Sequence, residues 1–287
     1  MPKASQMKPD KNISILFKGP NGFGKTLAAA SFAAAGPIYL AYFDKRQPIE
    51  LLSYFSRIGR RDILDNIEYE VFSSHNPQEY LNRLKRFAND CRYMAVITDS
   101  VTNLTSSAVN WSMAFRNGGR TEGKDPALIP DFDDYKVETS LVSQALDITK
   151  ILPCFNIWIA HPLPKLEITG TGRSMTVTKT TSIVSYGQKV GAMVPGAFTE
   201  IYQFARKNSY SFEGAKADYV VLTDQLGDDY AKTALGLPAE INITDKLFYE
   251  VWSPLAMRAI EDLTKEKDND VTDAISSGMV SRPETKW

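Results

Sequence analysis

The ten residues FKGPNGFGKT, numbers 17–26, decide the fold. Residues 19–26 satisfy the pattern G-x-x-x-x-G-K-[ST] in full. The spacing has a physical reason. Glycines let successive backbone N–H groups turn inward on the β- and γ-phosphates of a nucleotide without a Cβ clash. A helix N-terminus behind the loop adds a partial positive charge. Lys25 reaches phosphate oxygens, and the Thr26 hydroxyl completes a Mg²⁺ shell. The motif works only between a strand and a helix, and both are written into the sequence. ISILFKG (13–19) is an apolar run of strand composition, and KTLAAASFAAA (25–35) is alanine-rich and helix-forming until Gly36-Pro37 stops it. The reading is a phosphate cradle made of Gly19, Pro20, Asn21, Gly22, Phe23, Gly24, Lys25 and Thr26, not a chance match in a flexible turn.

Working outward, strands and helices alternate. IYLAYFD (38–44) reads as a second buried strand, PIELLSYFSRI (48–58) has helical spacing, and IEYEVF (67–72) alternates like a strand. NPQEYLNRLKRFAND (76–90) is an amphipathic helix with Pro77 suited to its first turn. YMAVITDS (93–100) is another strand, followed by a helix near 106–115, a Gly-, Pro- and Asp-rich loop over 116–134, a helix over 134–152 and the strand FNIWIAH (155–161). This order predicts a parallel α/β sheet. The pattern then changes. Residues 162–191 are rich in Thr, Ser and Gly and read as a mobile loop or β-hairpin, and EIYQFARK (200–207) and ADYVVLTD (217–224) read as antiparallel strands. The expected division is a polar N-terminal tail at 1–11, a nucleotide-binding domain at 12–243, a C-terminal helix at 244–266 with a break near Pro254, and a tail of disordered composition at 267–287.

A phosphate cradle needs a second group to hold its magnesium. Asp99 ends the apolar strand YMAVITD, which places a carboxylate at the C-terminal edge of the sheet beside the loop. The alternative is a helix-capping role, which Ser100 and Thr102 can also fill. The metal site is thus read as Thr26 and Asp99.

Composition sets the remaining bounds. The chain has 287 residues and a formal net charge of -1, so any attraction to nucleic acid or membrane must be local. Cys91 and Cys154 form no C-x-x-C pair, which argues against a zinc knuckle or disulfide scaffold and suits a reducing cytoplasm. No apolar run approaches membrane-spanning length, and the N-terminus has no signal-peptide core. A G-x-S-x-G elbow is absent, and two histidines, His75 and His161, do not make a His-rich metal site.

With these motifs in hand, the sequence resembles the RecA-like ATPases, in which a GPxxxGKT loop pairs with a strand ending in Asp-Ser. GPNGFGKT and VITDSVTNL carry the resemblance, supported by FDDYKVETSLVSQAL, by NIWIAH and by YAKTALGLP (230–238). The layout is closest to phage-type nucleotide-binding proteins of that group, some of which anneal or recombine single strands. The resemblance implies a three-layer α/β domain with a mainly parallel sheet and an antiparallel β extension. It implies ATP with Mg²⁺ as ligands, self-assembly into a ring or filament, and a host-cytoplasmic location if phage-encoded. It assigns His161 as a γ-phosphate sensor and the following segment as a DNA-binding loop, in which Lys165, Arg173, Lys179 and Lys189 outnumber the single Glu167. Lys232, in AKTALG, matches a basic residue that reaches the neighbouring subunit's nucleotide.

The sequence departs from the pattern in two places. The group usually carries a water-orienting Glu just after the second strand, whereas YFDKRQP offers only Asp44; Glu70 is less well placed. The 116–134 loop matches a second DNA-binding loop, yet its three basic residues face five acidic ones, and only Trp111 and Phe115 nearby suit base stacking. Two functions stay open. One is an oligomeric ATPase acting on single-stranded DNA in phage recombination or replication; the other is an ATP-switched module that binds protein partners, turns over slowly and contacts no DNA. A small-molecule kinase fits less well, because 162–191 offers only Arg173 for a lid.

Overall fold

The period-two alternation of the strands sorts their side chains into two cores. In β1 (Ser14–Lys18), Ile15 and Phe17 enter one core and Leu16 the other. In β2 (Ile38–Tyr42), Ile38, Leu40 and Tyr42 share the first core and Tyr39 and Ala41 the second; β4 (Ala95–Asp99) and β5 (Phe155–Ala160) divide in the same way. These strands are buried on both faces, which is why they read as continuous apolar runs. In this computed structural model, described for residues 13–44, 47–72, 76–116, 129–169, 176–185, 187–211, 214–224 and 231–276, a helical layer covers each face.

The first layer holds α1 (Lys25–Ala30), α2 (Ile49–Arg57) and α7 (Phe248–Ser276); the second holds α3 (Pro77–Asn89), α4 (Val101–Arg116), α5 (Phe132–Thr149) and α6 (Gln188–Gly196). With β3 (Ile67–Val71), β8 (Glu200–Ser211), β9 (Gly214–Leu222) and β10 (Glu240–Asn242), the sheet runs β10-β9-β8-β1-β5-β4-β2-β3. Every neighbouring pair from β3 to β8 is parallel, and β9 is antiparallel to both β8 and β10. The expected three-layer architecture, with a mainly parallel sheet and an antiparallel extension, is present. The extension is not an appendage, because β8 pairs directly with β1. A separate two-stranded sheet, β6 (Pro162–Thr169) with β7 (Thr176–Ile183), forms the hairpin that composition allowed at 162–191.

Three elements differ from expectation, each for a local reason. The alanine-rich helix tightens into a 3₁₀ turn at Ser31–Ala34. Ser31 Oγ donates to the Ala28 carbonyl at 2.6 Å and accepts the Tyr249 N–H at 2.9 Å, so the side chain competes with the helix ladder and ties it to α7. Residues 244–247, expected to be helical, are extended chain and turn, with Asp245 at a positive φ of 56°. The helix proper starts at Phe248, passes Pro254 unbroken and runs on to Ser276, into the stretch whose composition suggested a tail. Phe248, Trp252 and Ala256 are buried on both sides of Pro254, and that burial outweighs the one helix hydrogen bond a proline removes.

The join between α7 and the sheet is aromatic and then polar. The Phe248 ring lies within 5.2 Å of Phe17 and 6.0 Å of Trp252, centroid to centroid. Trp252 Nε1 donates to the Tyr202 hydroxyl at 2.9 Å, and Tyr202 donates to Glu200 Oε2 at 2.8 Å. Glu200 Oε1 accepts the Ala234 and Leu235 amides, so a fully buried carboxylate fixes the AKTALG segment. Among the described residues no helix is long and apolar enough to cross a membrane. Truncating Phe248 to Ala removes the ring that joins these two halves. Chemical denaturation should show a loss of about 3–5 kcal/mol, whereas Met257→Ala, at an exposed position of the same helix, should change stability by less than about 0.5 kcal/mol.

Candidate functional site

The C-terminal edge of the parallel strands opens into a cavity of about 1040 Å³. The glycine loop forms its floor. Gly19 sits at φ 153°, and a Cβ there would meet the Phe204 carbonyl oxygen at 2.9 Å; the first glycine is therefore required by packing on β8. Gly24, at φ 86°, supplies the left-handed turn into α1, whose first residues are Lys25 and Thr26. Lys25 is buried, and its Nζ donates to the Gly19 and Pro20 carbonyls at 2.7 Å each. Asn21, Gly22, Phe23, Gly24, Lys25 and Thr26 all line the cavity.

Asp99 is the last residue of β4 and is buried. Thr26 Oγ1 donates to Asp99 Oδ2 at 2.6 Å. The capping alternative falls elsewhere: Ser100 Oγ accepts the Asn103 amide at 3.3 Å and caps α4, which leaves the Asp99 carboxylate to Thr26. A hydroxyl and a carboxylate side by side are the oxygen donors a hard cation takes. Among the described residues no group of three or more His, Cys, Asp or Glu can hold a metal, so a cation here must complete its shell from phosphate oxygens and water. The pair fits Mg²⁺ in company with a nucleotide.

The electrostatics point the same way. Burial raises Asp99 to about 6, against the Thr26 hydrogen bond and the Lys25 charge; the Glu50 and Asp44 charges push it further up. Burial lowers Lys25 to about 8, with Asp99 opposing the shift. His161 follows β5 directly and lines the cavity. Burial, then the Lys25 charge, lowers it to about 4, so its imidazole is neutral at physiological pH. His161 Nδ1 is buried and has no hydrogen-bond partner.

Asp44 lines the cavity, as its place after the second strand suggested. Glu50, which the sequence reading passed over, lines it too and accepts from the Tyr42 hydroxyl at 3.1 Å. It stands in the first turn of α2, just beyond the YFDKRQP stretch. Glu70 lies elsewhere, accepting from Tyr39 at 2.6 Å and from Arg83. The far wall of the cavity was also invisible in the sequence: Tyr54 and Arg57 of α2 face Ile243, Asp245 and Phe248 there.

Of the other expected residues, Lys232 and Lys189 do not line the cavity. Lys232 forms an isolated bridge with Ile201. Lys165 pairs in register with Thr180 and Lys179 with Leu166 on the hairpin; Lys189 is exposed on α6; Arg173 lies outside the described residues. In the 116–134 loop, whose middle is also outside them, Asp131 and Asp134 have structural work. Asp131 and Asp134 form the capping box of α5, and both accept from Arg116. Trp111 and Phe115 stack at 5.8 Å, and Phe115 is exposed.

Neither protein-family models nor curated proteins give a significant match to this chain. Among solved structures, a KaiC-like protein from the hyperthermophilic archaeon Pyrococcus horikoshii is similar to it, with a TM-score of 0.43 and 12% identity over 77% of this chain and 82% of that one.

The depressed Lys25 makes a stability prediction. A lysine whose folded value lies below its unfolded value costs stability in full while both states hold the proton, and the cost fades as pH rises between the two values, where the unfolded chain binds more protons. Stability of the nucleotide-free protein should therefore rise with pH between about 8 and the ordinary lysine value of 10.5. Lys25→Met removes this dependence. It should be more stable than wild type by about 1–2 kcal/mol at pH 7, with the gap closing above pH ~10, as read by denaturation at a series of pH values.

Proposed function

We propose that this chain is a Mg²⁺-dependent ATPase whose nucleotide state is passed to the β6–β7 hairpin and, through it, to single-stranded DNA. One observation carries the reading: the glycine loop, the Thr26–Asp99 pair and His161 converge on one cavity, and His161 is also the residue from which the hairpin departs.

The roles follow from position. The loop amides and the N-terminus of α1 receive the phosphates. Lys25 exchanges its two carbonyl acceptors for phosphate oxygens. Thr26 and Asp99 would hold Mg²⁺, which supplies charge neutralisation on the β- and γ-oxygens when bound. Hydrolysis needs water to attack the γ-phosphorus as the bond to the bridging oxygen of ADP breaks. Glu50, oriented by Tyr42, is placed to accept the hydrogen bond of that water, with Asp44 as the second carboxylate. The neutral His161 imidazole faces the same space and can bond to a terminal phosphate without adding charge. Its main chain accepts the Val184 N–H at 2.9 Å, so a shift at His161 bears directly on the hairpin's other leg.

The DNA partner rests on the basic excess of residues 162–191, with Lys165, Arg173, Lys179 and Lys189 as backbone contacts. Self-assembly into a ring or filament rests on Lys232: it does not line its own subunit's cavity, so any action on nucleotide must be on a neighbour's. The protein-partner switch is the second reading, and the same assay separates the two.

Phosphate release should fall at least ~100-fold in Lys25→Ala and Asp99→Asn. Glu50→Gln should lose roughly 10- to 100-fold in turnover while keeping wild-type affinity for a fluorescent ATP analogue, and Glu70→Gln should change neither. Full turnover in Glu50→Gln would return the water-orienting role to Asp44. Single-stranded DNA should stimulate hydrolysis at low salt and less so as salt rises; a wild-type enzyme indifferent to DNA at every salt concentration would leave the protein-partner reading.

A further inference from the structure

The chain's two cysteines take no part in the nucleotide cavity, yet the fold brings them together. Cys91 lies between α3 and β4, and Cys154 immediately precedes β5. They are 63 positions apart in sequence, and their Sγ atoms are 3.5 Å apart. The cause is strand order. β4 and β5 are adjacent and parallel, with Ala95 opposite Phe155, so both chains enter the sheet at the same edge. The backbone there is pinned, since the Met94 carbonyl accepts the Phe155 N–H at 3.0 Å and the Met94 N–H donates to the Pro37 carbonyl at 2.7 Å. The sulfurs of a disulfide stand ~2.05 Å apart, so this non-bonded pair has about 1.5 Å to close.

The two thiols are unequal. Cys154 is 5% exposed, whereas Cys91 is only partly buried. The hydrogen-bonding contact with the Cys154 sulfur draws Cys91 down to about 7, against burial and the neighbouring Asp90 carboxylate. Cys154 is driven the other way, first by Cys91 and then by burial. Arg92, the nearest cation in sequence, is engaged by Glu68. One accessible, thiolate-prone sulfur beside one buried, protonated sulfur is the arrangement of an attacking and a resolving cysteine.

We propose that Cys91 and Cys154 form a reversible dithiol that hydroperoxides oxidise to an intramolecular disulfide. The Cys91 thiolate attacks the peroxide, the O–O bond breaks, and hydroxide leaves to take up a proton as water; Cys91 becomes a sulfenic acid. The Cys154 sulfur then attacks the Cys91 sulfur, its proton joins the departing hydroxyl as a second water, and the S–S bond closes. Two thiols and one hydroperoxide give one disulfide with water and the reduced peroxide product, and a small dithiol reverses it. The bond closes at the starts of the two strands whose far ends lead to Asp99 and His161, and it cross-links the chain across the whole stretch between them. The product is a more stable version of the same fold, because the cross-link restricts the unfolded chain.

The test is peptide mapping of the full chain after brief treatment with hydrogen peroxide under native conditions, with alkylation before digestion. The expected result is a Cys91–Cys154 linked peptide pair, loss of both alkylatable thiols, return of both with dithiothreitol, and a Tm raised by roughly 5 °C. In Cys154→Ser, the Cys91 sulfenic acid should accumulate and be trapped by dimedone; in Cys91→Ser, Cys154 should stay alkylatable. The wild-type map stands whether or not either variant folds. Two free thiols after peroxide, Cys91 driven to sulfinic acid beside a free Cys154, or disulfides formed only between chains would each overturn the proposal.

Discussion

The hydrogen bond from Thr26 to Asp99, 2.6 Å long and spanning 73 positions of sequence, is the constraint on which the site depends. It can form only because the parallel register ends β1 and β4 at the same level of the sheet, Lys18 opposite Ala160 and Asp99 opposite Ile159. β5 lies between them, so β1 and β4 are two strand spacings apart, roughly 10 Å. The glycine loop covers that gap. It leaves β1, turns on left-handed glycines and sets the first turn of α1 over the end of β4. A side chain at Gly19 would press on Phe204 and move the whole loop, so the cradle's position depends on β8 as well as on its own sequence.

What the sequence could tell depended on whether the information was local. The glycine loop is a contiguous motif, and strands buried on both faces announce themselves as apolar runs; fold class and cradle were legible for those reasons. Glu50 was not, because the chain between Asp44 and α2 is longer than the window searched, and only the fold returns the glutamate to the cavity beside Tyr42. The wall at Ile243–Phe248 was hidden for a different reason: β10 is three residues long, too short for any alternation to register, and the turn after it looked like the helix it precedes. Charge counting also could not show what the acids at the start of α5 bond to. Asp131 and Asp134 satisfy backbone amides and Arg116, so their charge is engaged at a helix start and is not free to repel phosphate.

The hairpin is fastened at its base from three sides. His161 and Val184 bond to each other across its two legs. Thr102 Oγ1, in the first turn of the helix that follows Asp99, donates to the Val184 carbonyl at 3.3 Å. The fully buried Glu138 of α5 accepts the Gly187 N–H at 2.8 Å just beyond. The Asp99 side of the site, through Thr102, and the His161 side thus both reach Val184 at the hairpin base. A base held this firmly moves with its supports rather than independently of them, because packed elements respond as units. That supports the reading in which nucleotide state reaches the hairpin.

The same cavity is a place where the fold works against itself. Asp99 is buried with the charges of Asp44 and Glu50 close enough to raise it, and Lys25 is buried far enough to be lowered. Neither arrangement stabilises the empty protein, and an apolar cradle of equal volume would cost less. On the proposed reading, a polyanion and a divalent cation arriving together would resolve the conflict: phosphate oxygens would take over Lys25, and the cation would answer the carboxylates. Ligand binding and folding are then coupled, since whatever relieves the native state's charge conflict also holds it folded. A site tuned to be uncomfortable without its ligand is what a chemistry-bearing pocket requires, and here it is built from residues whose neighbours, apolar strands on both sides, leave them nowhere else to go.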